Sequence, residues 1–314
     1  MKILNLTNNE TSDIKFEVSK FPDGQQQVKI INYNDLFSDV EYEFAEPHLR
    51  TDVQIKARLN NFKDLELIIC ATKSLRNLGI ENLNLYVPYF LGSRSDRKFE
   101  EGSNNYLKDV ICPIINSLGF ESVTVLDPHS DVLEACLNNF KKVDNKQLII
   151  SAINNFYNIK TGWNESKPLK NFILISPDAG TNKKIFKVAE QIGYTGDIIT
   201  CSKSRDVNGE LTKTVVPINI NEDKDYIIID DICDGGRTFI NIAEKIHNKY
   251  YEYSIACEKE FKPKIYLIVT HGIFSKGFKE LNKYFDGIYC TNSYKDIADI
   301  ENDEKTNVKQ LNLF

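Results

Sequence analysis

The sequence lacks the features that mark several large classes of protein. It has no uninterrupted apolar run of about 18 residues, so we expect no membrane-spanning helix. Its seven cysteines are scattered without a C-x-x-C pair, which argues against a zinc site and favours reduced, buried thiols. The N-terminus has no signal-peptide layout. A formal net charge of -6 argues against nucleic acid as the main partner. We therefore expect a cytoplasmic protein that acts away from membranes and nucleic acids.

The order of apolar segments predicts an α/β fold in two domains. The chain has 314 residues, enough for two domains of ordinary size. Strand-like and helix-like patterns alternate, which favours parallel sheets with helices on both faces. A polar stretch rich in Asn and Lys, about 138–170, separates two halves. We predict successive domains at 1–148 and 149–314, each a mostly parallel sheet flanked by helices.

The individual elements follow from the same patterns. Besides the strand at 226–231, strands are predicted at 3–6, 15–18, 27–30, 83–87, 122–126, 172–175, 197–201, 265–270 and 287–290. Helices are predicted at 62–78, 105–118 and 184–192, with a further helix after Thr238.

The most informative segment runs from Tyr226 to Thr238. An apolar, β-branched run ends at Asp230 and Asp231, a glycine turn follows, and apolar residues then recur with helical spacing. Backbone N–H groups at such a turn can hold a phosphate, and adjacent carboxylates can meet the hydroxyls of a sugar. The pattern is neither a P-loop nor a dinucleotide fingerprint. It predicts a ribose-phosphate site; the alternative is a buried strand with an acidic end, which is costly unless the acids are used.

Polar residues follow other predicted strands as well. Arg94, Arg97 and Lys98 could grip a polyphosphate, or together with Asp96 they could form an ordinary exposed loop. The remaining candidates are weak when taken alone: they are His129, Asp178, the pair Lys203 and Arg205, and the turn Phe21-Pro22-Asp23-Gly24-Gln25.

Taken together and in order, these segments resemble those of the phosphoribosyl pyrophosphate synthetases, which have the type I phosphoribosyltransferase fold. The resemblance covers nearly the whole chain, and the turn at 234–238 is its most specific part. It implies a role for each group of residues. The residues implied to bind ATP are Phe21, Asp23, Gln25, Arg94, Asp96, Arg97, Lys98 and His129. Catalysis is implied for Lys203 and Arg205 on a mobile loop, and Mg²⁺ binding for His129 and Asp178. The residues implied to bind the ribose phosphate are Asp178, Asp230, Asp231, Asp234, Gly235, Gly236, Arg237 and Thr238.

The resemblance also implies a homo-oligomer, a dimer or a hexamer of dimers. In the family, the turn that resembles Phe21–Gln25 reaches the adenine of a neighbouring subunit's ATP. Its counterpart here would therefore serve a second copy of this chain.

The phosphate turn departs from the family pattern at two positions. Gly235 stands where the family has Thr, and Arg237 stands where it has Gly. Gln25, Ser95 and the segment 99–103 differ as well. We therefore expect a divergent, phage-like branch acting in nucleotide or NAD salvage. Arg237 could pair with the second phosphate of ADP-ribose, or it could point into solvent.

The expected reaction moves the β,γ-diphosphate of ATP onto the anomeric hydroxyl of a 5-phosphorylated ribose and releases AMP. Ribose 5-phosphate, giving phosphoribosyl pyrophosphate, and ADP-ribose, giving ADP-ribose pyrophosphate, are equally favoured acceptors. The alternatives are a phosphoribosyltransferase that consumes phosphoribosyl pyrophosphate, and a non-catalytic, synthetase-associated paralogue.

Overall fold

The computed structural model describes residues 1–31, 33–36, 51–157, 172–205, 211–220, 224–299 and 307–314, and divides them into two compact units. The first is Met1–Asp144 together with Phe314, and the second is Asn145–Leu313. The boundary predicted after residue 148 would instead cut the helix Lys146–Phe156. That helix buries Leu148 and Ile149 in an apolar cluster of the second unit, which explains why it belongs there entirely.

The first unit is built on a five-stranded parallel sheet. Its elements in chain order are β1 (Lys2–Asn5), β2 (Phe16–Lys20), β3 (Gln26–Ile30), β4 (Val53–Lys56), α1 (Phe62–Asn77), β5 (Leu83–Tyr86), α2 (Cys112–Ser117), β6 (Ser122–Leu126), α3 (Val132–Cys136) and β7 (Phe140–Val143). The sheet order is β1-β4-β5-β6-β7. A π-helical turn, Leu107–Ile111, leads into α2. The strands predicted at 15–18 and 27–30 pair with each other as an antiparallel hairpin outside this sheet.

Local signals set the ends of α1. Asn61 begins the helix, because its side chain accepts hydrogen bonds from the N–H groups of Lys63 and Asp64. The helix ends at Asn77, and Gly79, which has φ +86, terminates it just beyond the C-cap Leu78. There the Gly79 N–H donates to the Arg76 carbonyl and the Ile80 N–H to that of Leu75, which is the Schellman pattern.

The second unit is built on a six-stranded parallel sheet with the order β15-β14-β13-β12-β8-β9. Its elements in chain order are α4 (Lys146–Phe156), β8 (Phe172–Ser176), α5 (Asn182–Gln191), β9 (Ile198–Thr200), β10 (Ser202–Arg205), β11 (Leu211–Val215), β12 (Asp225–Cys233), α6 (Arg237–Cys257), β13 (Ile265–Gly272), β14 (Gly287–Thr291) and β15 (Val308–Leu311). β10 and β11 form a separate antiparallel hairpin.

Alternate residues of β12 enter different apolar clusters. Tyr226 and Ile228 pack in a cluster with residues of α6, whereas Ile227 and Ile229 pack with residues of α4 and α5. All residues of β8 and β13 are buried, as expected for strands of a parallel sheet covered on both faces. The predicted fold of parallel sheets flanked by helices is confirmed.

The described residues also bear on the expectations about membrane-spanning helices and about the cysteines. Within these ranges, no helix is long and apolar enough to cross a membrane. The seven cysteines are free thiols, of which four are buried, Cys70 and Cys136 are partly exposed, and Cys257 is exposed. Most of the thiols are therefore buried, as expected, and Cys257 is an exception because it ends α6 at the surface.

Candidate active site

In the second unit, the order of strands reverses next to two acidic strand ends. After β8, the chain forms β9 on one side and then returns to form β12 on the other side. In open α/β sheets, ligands bind beyond the carboxyl ends of the strands at such a switch point. Asp178 follows β8, and Asp230 and Asp231 lie near the end of β12. The fold therefore brings these predicted site residues to one sheet edge.

The two adjacent acids have very different surroundings. Asp231 is 3% exposed, and its Oδ2 accepts a hydrogen bond from Lys184 Nζ at 2.9 Å. Asp230 is partly exposed, and its Oδ1 accepts a hydrogen bond from the Asp231 backbone N–H at 2.9 Å. Desolvation, followed by the influence of Asp231 and then Asp178, raises the pKa of Asp230 well above its usual value. Three acids near one lysine leave an excess of negative charge at this edge.

Asp178 owes its position to helix capping. Its side chain accepts a hydrogen bond from the Thr181 N–H at 3.2 Å and caps the short 3-10 turn Ala179–Thr181 that leads into α5. Ser176 Oγ donates to the Asp178 carbonyl at 2.8 Å and shares a hydrogen bond with Thr181 Oγ1 at 2.6 Å. The segment that resembles a family motif is thus a capped turn at the end of β8.

The turn after β12 presents backbone donors. Gly236 has φ +77, and a Cβ at this position would lie 2.9 Å from Leu281 Cδ2, so both backbone conformation and space require glycine. Among the described residues, no side chain caps the N-terminus of α6 at Gly236. The first N–H groups of this 21-residue helix can therefore serve an anion. Arg237 is exposed, whereas Asp234, Gly235 and Thr238 are partly exposed.

A lysine beside this turn escaped the sequence reasoning, although the resemblance implies a structural role near the ribose site for the segment 270–275 that precedes it. A Cβ at Gly235 would lie 3.4 Å from Lys276 Cγ and 3.9 Å from Ser275 Oγ. This segment is held in place because the Phe274 N–H donates to the Cys233 carbonyl at 3.1 Å. Lys276 is exposed and adds a cation near the turn. Only the pairing of β12 with β13 brings these distant parts of the sequence together, so no local signal could have found Lys276.

Lys203 and Arg205 lie on the β10–β11 hairpin. β10 pairs antiparallel with β11, and the register shifts between Ser204 and Arg205. The structure describes the backbone of both residues but not their side chains, and 206–210 lie outside the described residues. Their catalytic role and the mobility of this loop stay predictions.

In the first unit, the predicted ATP-binding residues follow two neighbouring parallel strands. Arg94, Arg97 and Lys98 are exposed beyond β5, and His129 is exposed beyond β6. Exposed cations at the carboxyl edge of a sheet are suitable partners for a polyphosphate. Their contact with ATP stays a prediction.

The cationic segment is folded against the start of the next helix. Asn105 Nδ2 donates to the Asp96 carbonyl at 2.6 Å, and the Arg97 guanidinium lies 5.5 Å from the centre of the Phe99 ring. Gly92 has φ +81, and a Cβ at this position would lie 2.8 Å from the Tyr106 ring. These contacts give a defined course to a segment that composition alone would describe as a charged loop.

The turn Phe21–Gln25 joins β2 to β3 at the surface. The Gly24 N–H donates to the Phe21 carbonyl at 2.9 Å, and Gln25 Nε2 donates to Asp23 Oδ2 at 3.1 Å. All five residues of the turn are exposed, and Phe21 has 44% of its surface accessible. The geometry is that of a hairpin turn, and its contact with a neighbouring subunit stays a prediction.

The metal prediction involves residues of both units. Within the part of the chain that the structure describes, no group of three or more His, Cys, Asp or Glu is arranged to hold a metal ion. His129 belongs to the first unit and Asp178 to the second. Mg²⁺ commonly keeps several waters and takes one or two carboxylates together with substrate phosphates. The hard oxygen donors of Asp178 fit such an ion when it arrives with a nucleotide.

Comparison with known proteins finds relatives that share one description, ribose-phosphate pyrophosphokinase. No protein-family model matches this chain. A ribose-phosphate pyrophosphokinase of Thermococcus kodakarensis is 24% identical over 92% of this chain and 89% of that protein. One from Pyrococcus furiosus is 25% identical over 88% of this chain and 85% of that protein. The crystal structure of phosphoribosylpyrophosphate synthetase from Mycobacterium smegmatis matches with a TM-score of 0.70 at 14% identity, over 99% of this chain and 95% of that one. The predicted fold and the family resemblance are confirmed.

Proposed function

We propose that this chain, which is a homologue of the ribose-phosphate pyrophosphokinases and a transferase of their kind, moves the β,γ-diphosphate of ATP onto a ribose phosphate. The acceptor atom is the anomeric hydroxyl, and AMP leaves. One observation carries the proposal: at a switch point of the sheet, an acid pair is followed after one short turn by a helix N-terminus that no side chain of the described residues caps. This arrangement offers oxygens for a polyol at one end and N–H donors for a phosphate at the other.

The reaction requires positioning and neutralisation of charge more than covalent help from the protein. In our proposal, the pair Asp230 and Asp231 forms the ribose end of the site, and the turn 234–238 holds the 5-phosphate. Lys203 and Arg205 stabilise the charge that develops on the transferring diphosphoryl group. Arg94, Arg97 and Lys98 bind the nucleotide. No residue is assigned as the base that activates the anomeric hydroxyl.

Mg²⁺ enters with ATP as part of the co-substrate. When bound, it neutralises charge on the triphosphate. His129 and Asp178 would hold it, as the resemblance implies, and Asp178 offers the oxygen donor that this ion prefers.

The acceptor is either ribose 5-phosphate or ADP-ribose. The names of the relatives support ribose 5-phosphate. Two observations favour the larger acceptor: Arg237 is exposed in the first turn of α6, and Lys276 lies beside Gly235. Two cations around the turn could pair with the second phosphate of ADP-ribose.

The decisive experiment incubates the full chain with ATP, Mg²⁺ and each acceptor, and separates the nucleotide products. AMP formed in proportion to a diphosphorylated sugar supports the proposal, and the ratio of kcat/KM values ranks the two acceptors. ADP would indicate simple phosphorylation. Consumption of phosphoribosyl pyrophosphate with a nucleobase would indicate a phosphoribosyltransferase, and no turnover with any of these substrates would favour a non-catalytic paralogue.

A further inference from the structure

Lys184 connects the two acidic strand ends of the second unit. It lies in the first turn of α5, the helix that follows the turn capped by Asp178. Its Nζ reaches across to Asp231 Oδ2 at 2.9 Å. A cation in the first turn of a helix is opposed by the helix dipole, so this location calls for a compensating acid nearby. Asp231 supplies that acid.

Asp231 in turn needs the lysine. Its side chain is 4% exposed, and a carboxylate so deeply buried requires a charged or hydrogen-bonding partner. It follows Ile227 and Ile229, which pack with residues of α4 and α5. Because side chains alternate along a strand, Asp231 faces the same helices as these two residues. Lys184 meets it from that side.

Asp230 faces the other way along β12. It follows Tyr226 and Ile228, which pack with residues of α6, the helix whose N-terminus forms the phosphate turn. Unlike Asp231, it keeps part of its surface accessible. The acid on the same face as the phosphate turn is therefore the accessible one.

We propose that Lys184 is a positioning residue of the acceptor site: it neutralises and fixes Asp231, and so leaves Asp230 as the carboxylate that meets the ribose hydroxyls. The inference rests on the proposed function and assigns different roles to two acids that the sequence treats alike. Lys184 itself does not touch the substrate. It acts through Asp231, whose backbone N–H in turn donates to Asp230.

The first test compares Lys184→Met, Lys184→Arg and the control Lys187→Met, which removes an exposed lysine from the same helix. Lys184→Met should raise KM for the acceptor by about 10- to 100-fold, the size of effect that follows the loss of one charge-assisted hydrogen bond. KM for ATP should stay unchanged. Lys184→Arg should recover most of the loss, and Lys187→Met should behave as wild type.

A purely structural role would give a different result. It would lower the melting temperature and the active fraction of Lys184→Met while leaving KM for the acceptor unchanged, and this outcome would overturn the inference. If Lys184→Met fails to fold, the double variant Lys184→Met with Asp231→Asn avoids an uncompensated buried charge and takes its place.

A double-mutant cycle separates the two acids. Asp231→Asn should add little to Lys184→Met, because the two residues act as one unit, whereas Asp230→Asn should impose its full effect in either background. Equal and independent effects of both Asp→Asn changes would contradict the division of roles. If the wild-type protein forms no AMP, the proposed function itself is refuted. The two failures are therefore distinguishable.

Discussion

At the scale of single residues, Gly236 is needed for both its backbone conformation and its lack of a side chain. We expect Gly236→Ala to lower the free energy of unfolding by about 1–2 kcal/mol for the left-handed backbone, and by a further ~1–3 kcal/mol for crowding against Leu281. Gly119 has φ +65, and a Cβ added there would meet nothing within 4 Å, so Gly119→Ala should show the backbone cost alone. Urea unfolding of both variants measures the difference. Equal losses of unfolding free energy in the two variants would mean that the Leu281 side chain moves aside at no cost.

Arg237 should determine which group is accepted on carbon 5 of the ribose. A charge-assisted hydrogen bond contributes about 1.5–3 kcal/mol, or roughly 10- to 150-fold in affinity. Arg237→Gly should therefore reduce kcat/KM for ADP-ribose by about this factor and preserve or improve it for ribose 5-phosphate. The measurement is the ratio of the two efficiencies in wild type and variant. An unchanged ratio would place the Arg237 side chain in solvent and favour ribose 5-phosphate.

Ionised Asp230 should lower the free energy of unfolding of the protein when no ligand is bound. Its pKa is raised, first by desolvation and then by neighbouring acids, so ionised Asp230 destabilises the folded state at neutral pH. Asp230→Asn should raise the melting temperature at pH 7 in metal-free buffer. The gain should shrink as the pH falls from the raised pKa towards the usual pKa of an aspartate, because the wild type is protonated in the folded state over this range and finally in the unfolded state as well. A melting temperature that drops at every pH would show that the carboxylate stabilises the fold.

The sequence located the acids and the turn because each follows an apolar run directly. Asp178, Asp230 and Asp231 stand at strand ends where the pattern placed them. Lys184 and Lys276 could not be found in this way. Their importance comes from contacts with Asp231 and near Gly235, which are distant in sequence and meet only through the sheet.

At the scale of elements, the β10–β11 hairpin carries the proposed catalytic pair. Lys203→Ala and Arg205→Ala should each reduce kcat by ~10²–10³-fold, the usual cost of losing one donor that stabilises a transition state. Ser202→Ala, on the same strand, serves as the control. Turnover near the wild-type value in both Lys203→Ala and Arg205→Ala would remove this hairpin from the mechanism.

Element prediction succeeded where apolar runs were long and failed for several short strands. β8, β12 and β13 are buried and were recognisable from their composition. β4, an inner strand of the first sheet, was missed, as were β7 and β15, each at one edge of a sheet, and the β10–β11 hairpin. β7 has mostly exposed residues, so it carries little hydrophobic signal, and it lies in the polar stretch that was interpreted as a connection between domains.

At the scale of the whole molecule, we expect the active unit to contain at least two copies of the chain. The turn Phe21–Gln25 is exposed at the tip of a hairpin and is available to a neighbour. Mixing an inactive Asp23→Ala variant with an inactive Lys203→Ala variant should restore part of the activity, because hybrid assemblies contain some intact sites. The assay is AMP formation after mixing, with each variant alone as the control. A monomer that is fully active at all concentrations would contradict the prediction.

The position of the phosphate turn has a consequence for how such an enzyme can evolve. Gly235, Arg237 and Lys276 all lie beyond the ends of β12 and β13, whose buried residues support the sheet. A change at any of these three positions alters the charge or width of the turn without disturbing the packed interior. Selection could therefore move the enzyme from one sugar phosphate to another in single steps, while the architecture that makes it foldable stays untouched.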